Sequence, residues 1–183
     1  MKSYNKVDDL RRKLRFMGDE FSETDLQEEL EEANRKINVN IGKYYRDVTY
    51  VTNLEQKTYR LNFSPIIVFD RVFVSTSGEL DSDKYVVSEE KGIITFEDGF
   101  DEGTKIICYY VPEVFKDLEL LYATQSIMAM NLITTSDNMI GTKTEQINTY
   151  IDLLEKKIQK AMKGTPVRIQ TSMNYIDSQD VLW

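Results

Sequence analysis

The sequence predicts an α+β protein: a four-helix bundle-like core, an inserted antiparallel β domain and an extended C-terminal tail. Three observations predict it. Helical periodicity fills both flanks of the chain, a turn-punctuated β-rich stretch occupies the middle, and the last helical pattern stops at Lys163-Gly164-Thr165-Pro166 while apolar sequence continues to Trp183. The corresponding organisation is a helical pair over 1–43, a small sandwich or barrel over 44–111, a second helical pair over 112–163 and a tail over 164–183.

In the first segment, Val7, Leu10, Leu14 and Met17 recur at spacings of three and four, which places them on one stripe of a helix ended by Gly18. Ser22-Glu23-Thr24-Asp25 then supplies a hydroxyl to cap a second helix and acids to favour its positive end. Its stripe is Leu26, Leu30, Ala33, Ile37 and Ile41, with Gly42 as terminator, and Glu28, Glu29, Glu31 and Glu32 form its wet face.

From Tyr44 to Val111 the helical period disappears. Tyr59, Leu61 and Phe63 alternate with polar residues; Ile66–Val74 is apolar on both faces except at Asp70-Arg71, the pattern of an interior strand or one with a bulge. Tyr85 and Val87, then Ile93–Phe96, then Lys105–Val111 complete five or six antiparallel strands, with glycines at the turns between them. Pro112 suits a helix's first turn, followed by the stripe Val114, Leu118, Leu121, Gln125, Met128 and Leu132. Thr134–Gly141 reads as a loop and Thr142-Lys143-Thr144-Glu145 as the capping box of a final helix carrying Ile147, Ile151, Leu154 and Ile158.

Composition limits the chemistry. The 183 residues carry a formal charge of −8, which disfavours nucleic-acid binding, and no apolar run approaches the length of a bilayer span. The N-terminus leads into charged sequence, which predicts no cleaved secretory signal. Cys108 is alone, so a disulfide framework or thiol metal site is not expected. Histidine is absent, which removes the commonest general base and metal ligand. There is no phosphate-binding glycine loop, and Leu80-Asp81-Ser82-Asp83 lacks the glycine and the terminal glutamate of a calcium loop, so it reads as a hairpin turn. No enzyme activity, catalytic residue, cofactor or metal is expected. The candidate site is instead the tail, whose apolar side chains Met173, Tyr175, Ile176, Val181, Leu182 and Trp183 are too few for a core and suit anchoring on a partner.

The order of elements resembles the head-tail connector, or adaptor, proteins of tailed bacteriophages. The residues that carry the resemblance are Asp9-Leu10-Arg11-Arg12-Lys13-Leu14 with Ser22-Glu23-Thr24-Asp25-Leu26, then Pro112–Leu132 and Ile147–Met162. In addition, Asp83–Val87, Gly92–Phe96 and Gly103–Tyr110 look like a strand pattern frequent in phage virion proteins. The smallest members of the family are almost purely helical, so the strand region is a departure from them. The resemblance implies a structural protein of the virion neck, assembled in the host cytoplasm. It would form a homo-oligomeric ring, commonly a dodecamer, docked on the portal protein and presenting a platform to a stopper or tail-completion protein. Genomic DNA would pass through it without sequence-specific binding during packaging and ejection, and the C-terminal extension would reach onto the portal. No membrane association is expected. Two other readings fit the residues: a tail-completion or stopper protein of the same neck, and a carbohydrate-binding or adhesive module built on the β domain.

Overall fold

A computed structural model of the chain describes residues 3–14, 20–135 and 138–162, with the side chains of 131–142 outside that description. The protein is α+β, with four α-helices and seven strands among the described residues. It divides into a helical unit, drawn from 1–40 and 114–156, and a strand-bearing unit, drawn from 41–113 and 157–162.

In the helical unit, α1 (Val7–Leu14) opens with Asp8 and Asp9 in its first turn, and the Asp9 carboxylate accepts the Lys6 N–H at 3.0 Å. α2 (Glu23–Asn40) begins with the reciprocal cap that its sequence encodes. Ser22 Oγ accepts the Asp25 N–H at 3.2 Å while the Asp25 carboxylate accepts the Ser22 N–H at 3.1 Å. The helix ends at Asn40, two residues before Gly42, whose φ of 117° is a region that L side chains rarely adopt. α3 (Val114–Thr135) buries Phe115, Leu118, Leu121, Tyr122 and Ile127, and α1, α2 and α3 pack on one another. α4 (Asn138–Met162) joins them through polar contacts: Gln125 Nε2 donates to Asn148 Oδ1 at 2.6 Å, and Glu155 accepts from Tyr122 Oη and from Asn40 Nδ2.

Two helix starts differ from expectation. Pro112 is the last residue of a strand, paired with Ile66, and α3 begins after it at Val114. Proline lacks an N–H, so it ends a ladder as readily as it opens a helix. α4 begins at Asn138, so Thr142-Lys143-Thr144-Glu145 lies inside the helix and Thr134–Gly141 is not a loop, although 136–137 are outside the described residues. The lone Gly141 costs a helix interior only about 1 kcal/mol, too little to stop a helix of this length.

The strand-bearing unit contains two antiparallel sheets. The larger one orders β1 (Tyr45–Tyr50), β7 (Lys105–Pro112), β3 (Ile66–Val74) and β4 (Gly78–Glu79) as β1-β7-β3-β4. The smaller orders β2 (Thr58–Arg60), β6 (Ile93–Phe96) and β5 (Tyr85–Ser88) as β2-β6-β5. The strand count exceeds five or six because Gly78–Glu79 folds back on Phe73–Val74 and because Tyr45–Tyr50 forms a strand of its own. The register of β3 against β7 shifts between Phe69 and Arg71, where Asp70-Arg71 interrupts the apolar run. Ser82–Lys84 form a short 3-10 turn in place of the expected hairpin turn. Five aromatic residues of this unit, Tyr45, Tyr59, Phe63, Phe96 and Tyr110, are buried in its core, where the Tyr45 ring meets Phe63 and Tyr110 edge-on, with centroids 4.6 and 5.4 Å away.

Candidate functional site

The anchors expected from sequence, Met173, Tyr175, Ile176, Val181, Leu182 and Trp183, lie outside the described residues. Within them, three arrangements hold the protein's polar chemistry: two buried carboxylates and one open sheet face.

Asp47 is the first. Alternation along β1 turns Tyr45 and Asp47 into the core and Arg46, Val48 and Tyr50 outward. The Asp47 carboxylate accepts the Asn62 N–H at 2.6 Å, Asn62 Nδ2 at 2.7 Å and Tyr110 Oη at 2.9 Å. Tyr110 Oη in turn accepts the Phe63 N–H at 3.2 Å. Burial raises the carboxyl's affinity for its proton, and the hydrogen bonds oppose that shift. Burial also pushes up the Tyr110, Tyr45 and Cys108 groups around it, with the Asp47 charge adding to the effect. With its oxygens engaged and its surroundings closed, this group ties β1 and β7 to the 61–63 segment and stays sequestered from any substrate.

Glu119 is the second. It sits on the buried stripe of α3 between Phe115 and Tyr122 and is fully buried. One oxygen accepts the Tyr4 N–H at 2.9 Å and Asn34 Nδ2 at 3.1 Å; the other accepts the Asn5 N–H and Asn5 Nδ2, both at 2.8 Å. Asn5 Nδ2 also donates to Lys116 O at 2.8 Å, and the Tyr4 ring rests near Phe115. Burial raises the Glu119 carboxyl above its ordinary value, against the pull of these four donors. The function of this cluster is mechanical: it fastens the segment before α1 to α2 and α3. Sequence reasoning did not single out either acid, although both interrupt an otherwise apolar face, which is the signal a buried carboxylate leaves.

The third arrangement is exposed. The register of β1, β7 and β3 sets two rows across the outer face of the larger sheet, Arg46-Tyr109-Arg71 and Val48-Ile107-Phe73, followed by the pair Tyr50-Lys105. Phe73 is 38% exposed and Tyr50 57%, large apolar surfaces to leave in water. The Arg71 guanidinium lies over the Tyr109 ring, 5.2 Å from its centroid, and bonds weakly to Asp70 at 3.5 Å. Among the described residues, Arg46 and Lys105 have no ion pair. β4 extends the second row with exposed Glu79 beside Phe73, so the face is an apolar band with cations at Arg46, Arg71 and Lys105 and one acid at its β4 edge, a composition suited to protein contact.

Among the described residues no group of three or more acidic or cysteine side chains could hold a metal ion, and no helix is long and apolar enough to cross a membrane. No protein-family model matches the chain, and no curated protein matches it at a significant level.

Proposed function

We propose that the protein is a non-catalytic head-tail connector of a tailed-phage virion, a ring subunit that joins the portal to the stopper or tail. The observation that carries the reading is the order of elements: two N-terminal helices, an antiparallel strand region, then two long helices, with an apolar stretch of sequence beyond them. A second line of support is physical. The two buried carboxylates that would attract attention as catalytic groups are consumed by structural hydrogen bonds, while the accessible chemistry is of the kind that contacts other proteins.

In this reading the tail residues Met173, Tyr175, Ile176, Val181, Leu182 and Trp183 anchor the subunit on the portal, and the repetition of the contact around the ring turns a weak attachment into a durable one. The acidic balance of the chain keeps DNA from adhering as it slides through the ring. The test is removal of Thr171–Trp183. The shortened chain is expected to keep its circular dichroism spectrum and to lose portal binding in a co-sedimentation assay; portal binding of undiminished affinity would remove the anchoring role from the tail.

A further inference from the structure

We propose that the outer face of the larger sheet is the docking surface for a second copy of this chain, and that what docks there is the acidic outer surface of the neighbour's α2. This rests on the ring proposed above and assigns its subunit contact.

The sheet face presents Arg46, Arg71 and Lys105 around the apolar band Val48-Ile107-Phe73, with Glu79 at the β4 edge as the one acid in these rows, so the cationic side is the one toward β1 and β7. In a chain of formal charge −8, identical molecules repel one another on average. A contact between copies is favoured where a local cationic area meets a local anionic one. α2 provides the complement. Glu23, Asp25 and Glu28 are exposed along it, with Glu29, Glu31 and Glu32 half-buried beside them, and among the described residues the one ion pair of these six acids joins Glu32 to Arg35 at 2.6 Å. At the end of the same helix Val39 is 85% exposed, the most exposed large apolar side chain among the described residues. Seated on the neighbour's sheet it would cover the Val48-Ile107-Phe73 band while the glutamates meet the cations. Desolvated charge pairs at the edge of such a band set orientation and partner choice.

The size of the face fits this partner. Three strands about 4.8 Å apart and six residues long span roughly 300 Å², well under the ~800 Å² per partner of a stable two-body complex. A contact that small does not hold a dimer by itself. The two surfaces are different, however, so each copy offers one of each, and such head-to-tail contacts close into rings when the rotation permits. Closure then supplies the cooperativity that one contact lacks.

Sedimentation of the full-length chain over a concentration series, at low and high salt, tests the inference. The wild type is expected to self-associate, more weakly as salt rises. Combined reversal of the sheet cations, Arg46→Glu with Arg71→Glu and Lys105→Glu, should weaken association at least tenfold while leaving the circular dichroism spectrum intact. Adding Glu28→Lys and Glu32→Lys to that same chain should restore association, because the charges are then exchanged across the contact. Val39→Asp, at an open position that the fold does not need, should weaken association without touching the sheet. A wild type that remains monomeric to about 1 mM overturns the inference, as does a triple variant that associates normally or a five-substitution chain that stays apart. Portal binding is a separate measurement. Charge-dependent association without portal binding would leave this surface assigned and defeat the connector reading.

Discussion

Replacing Glu119 with glutamine removes a negative charge and little else in volume, so it isolates what the buried carboxylate contributes. The carboxylate accepts four N–H bonds, from the Tyr4 and Asn5 main chain and the Asn5 and Asn34 side chains. A glutamine keeps one acceptor oxygen, enough for one of the two donor pairs. Its NH₂ then faces the other pair, donor against donor. If the oxygen stays with Tyr4 and Asn34, both Asn5 donors lose their partner, although Asn5 Nδ2 retains Lys116 O. Bonds to a charged acceptor contribute about 1.5–3 kcal/mol each, and relief by water at the part-buried Asn5 brings two lost bonds to about 2–3 kcal/mol in all. Urea denaturation followed by far-ultraviolet circular dichroism should show this loss in the helical signal. Amide exchange should show Tyr4 and Asn5 losing protection before the interior of α2 does. A change below about 0.5 kcal/mol, with both amides still protected, would mean that the segment before α1 is held by the Tyr4 ring and not by the carboxylate.

Two glycines separate backbone conformation from crowding. Gly78 and Gly92 both have positive φ, 82° and 61°, but a Cβ at Gly78 meets nothing within 4 Å whereas one at Gly92 lies 2.8 Å from Phe63 O and from Ser64 Cβ. Gly78→Ala should cost about 1 kcal/mol and Gly92→Ala at least about 2, read as the difference between their thermal midpoints; equal costs would show that the 61–64 segment yields freely. Acid pH gives a further test. The folded Glu119 and Asp47 carboxyls bind protons more tightly than their unfolded counterparts, so their contribution to stability is fullest below the unfolded values and declines as pH rises through the raised ones. Glu119→Gln should flatten that decline between about pH 4 and the raised value, and an unchanged difference in stability between variant and wild type across the range would contradict the direction of the shift.

The helical stripes were legible because each depends on residues three and four apart, a relation contained within one stretch of sequence: Leu26, Leu30, Ala33 and Ile37 are buried together on α2. The same holds for the Ser22 cap and for the interruption at Asp70-Arg71. Ends were less legible. Pro112 and Thr142–Glu145 are compatible with several local structures, and the neighbouring ladder or helix decides among them. The interruption each buried acid makes in its apolar face was legible but its partners were not, since Glu119 is satisfied by residues at positions 4, 5 and 34, and Asp47 by residues at 62 and 110. The cationic sheet face was also hidden: Arg46, Tyr109 and Arg71 share a row only because of a register that follows the bulge in β3.

The Asn5–Glu119 pairing joins residues 114 positions apart in the chain. During synthesis, α1 and α2 therefore leave the ribosome long before α3 exists to cover them, while residues 41–113, whose strands pair among themselves, already hold most of what they need to fold. At translation speeds of about 5–20 residues per second, the apolar stripe of α2 waits on the order of seconds without its lasting neighbour. Its run of glutamates gives the uncovered helix a like charge that opposes association with other nascent chains through that interval.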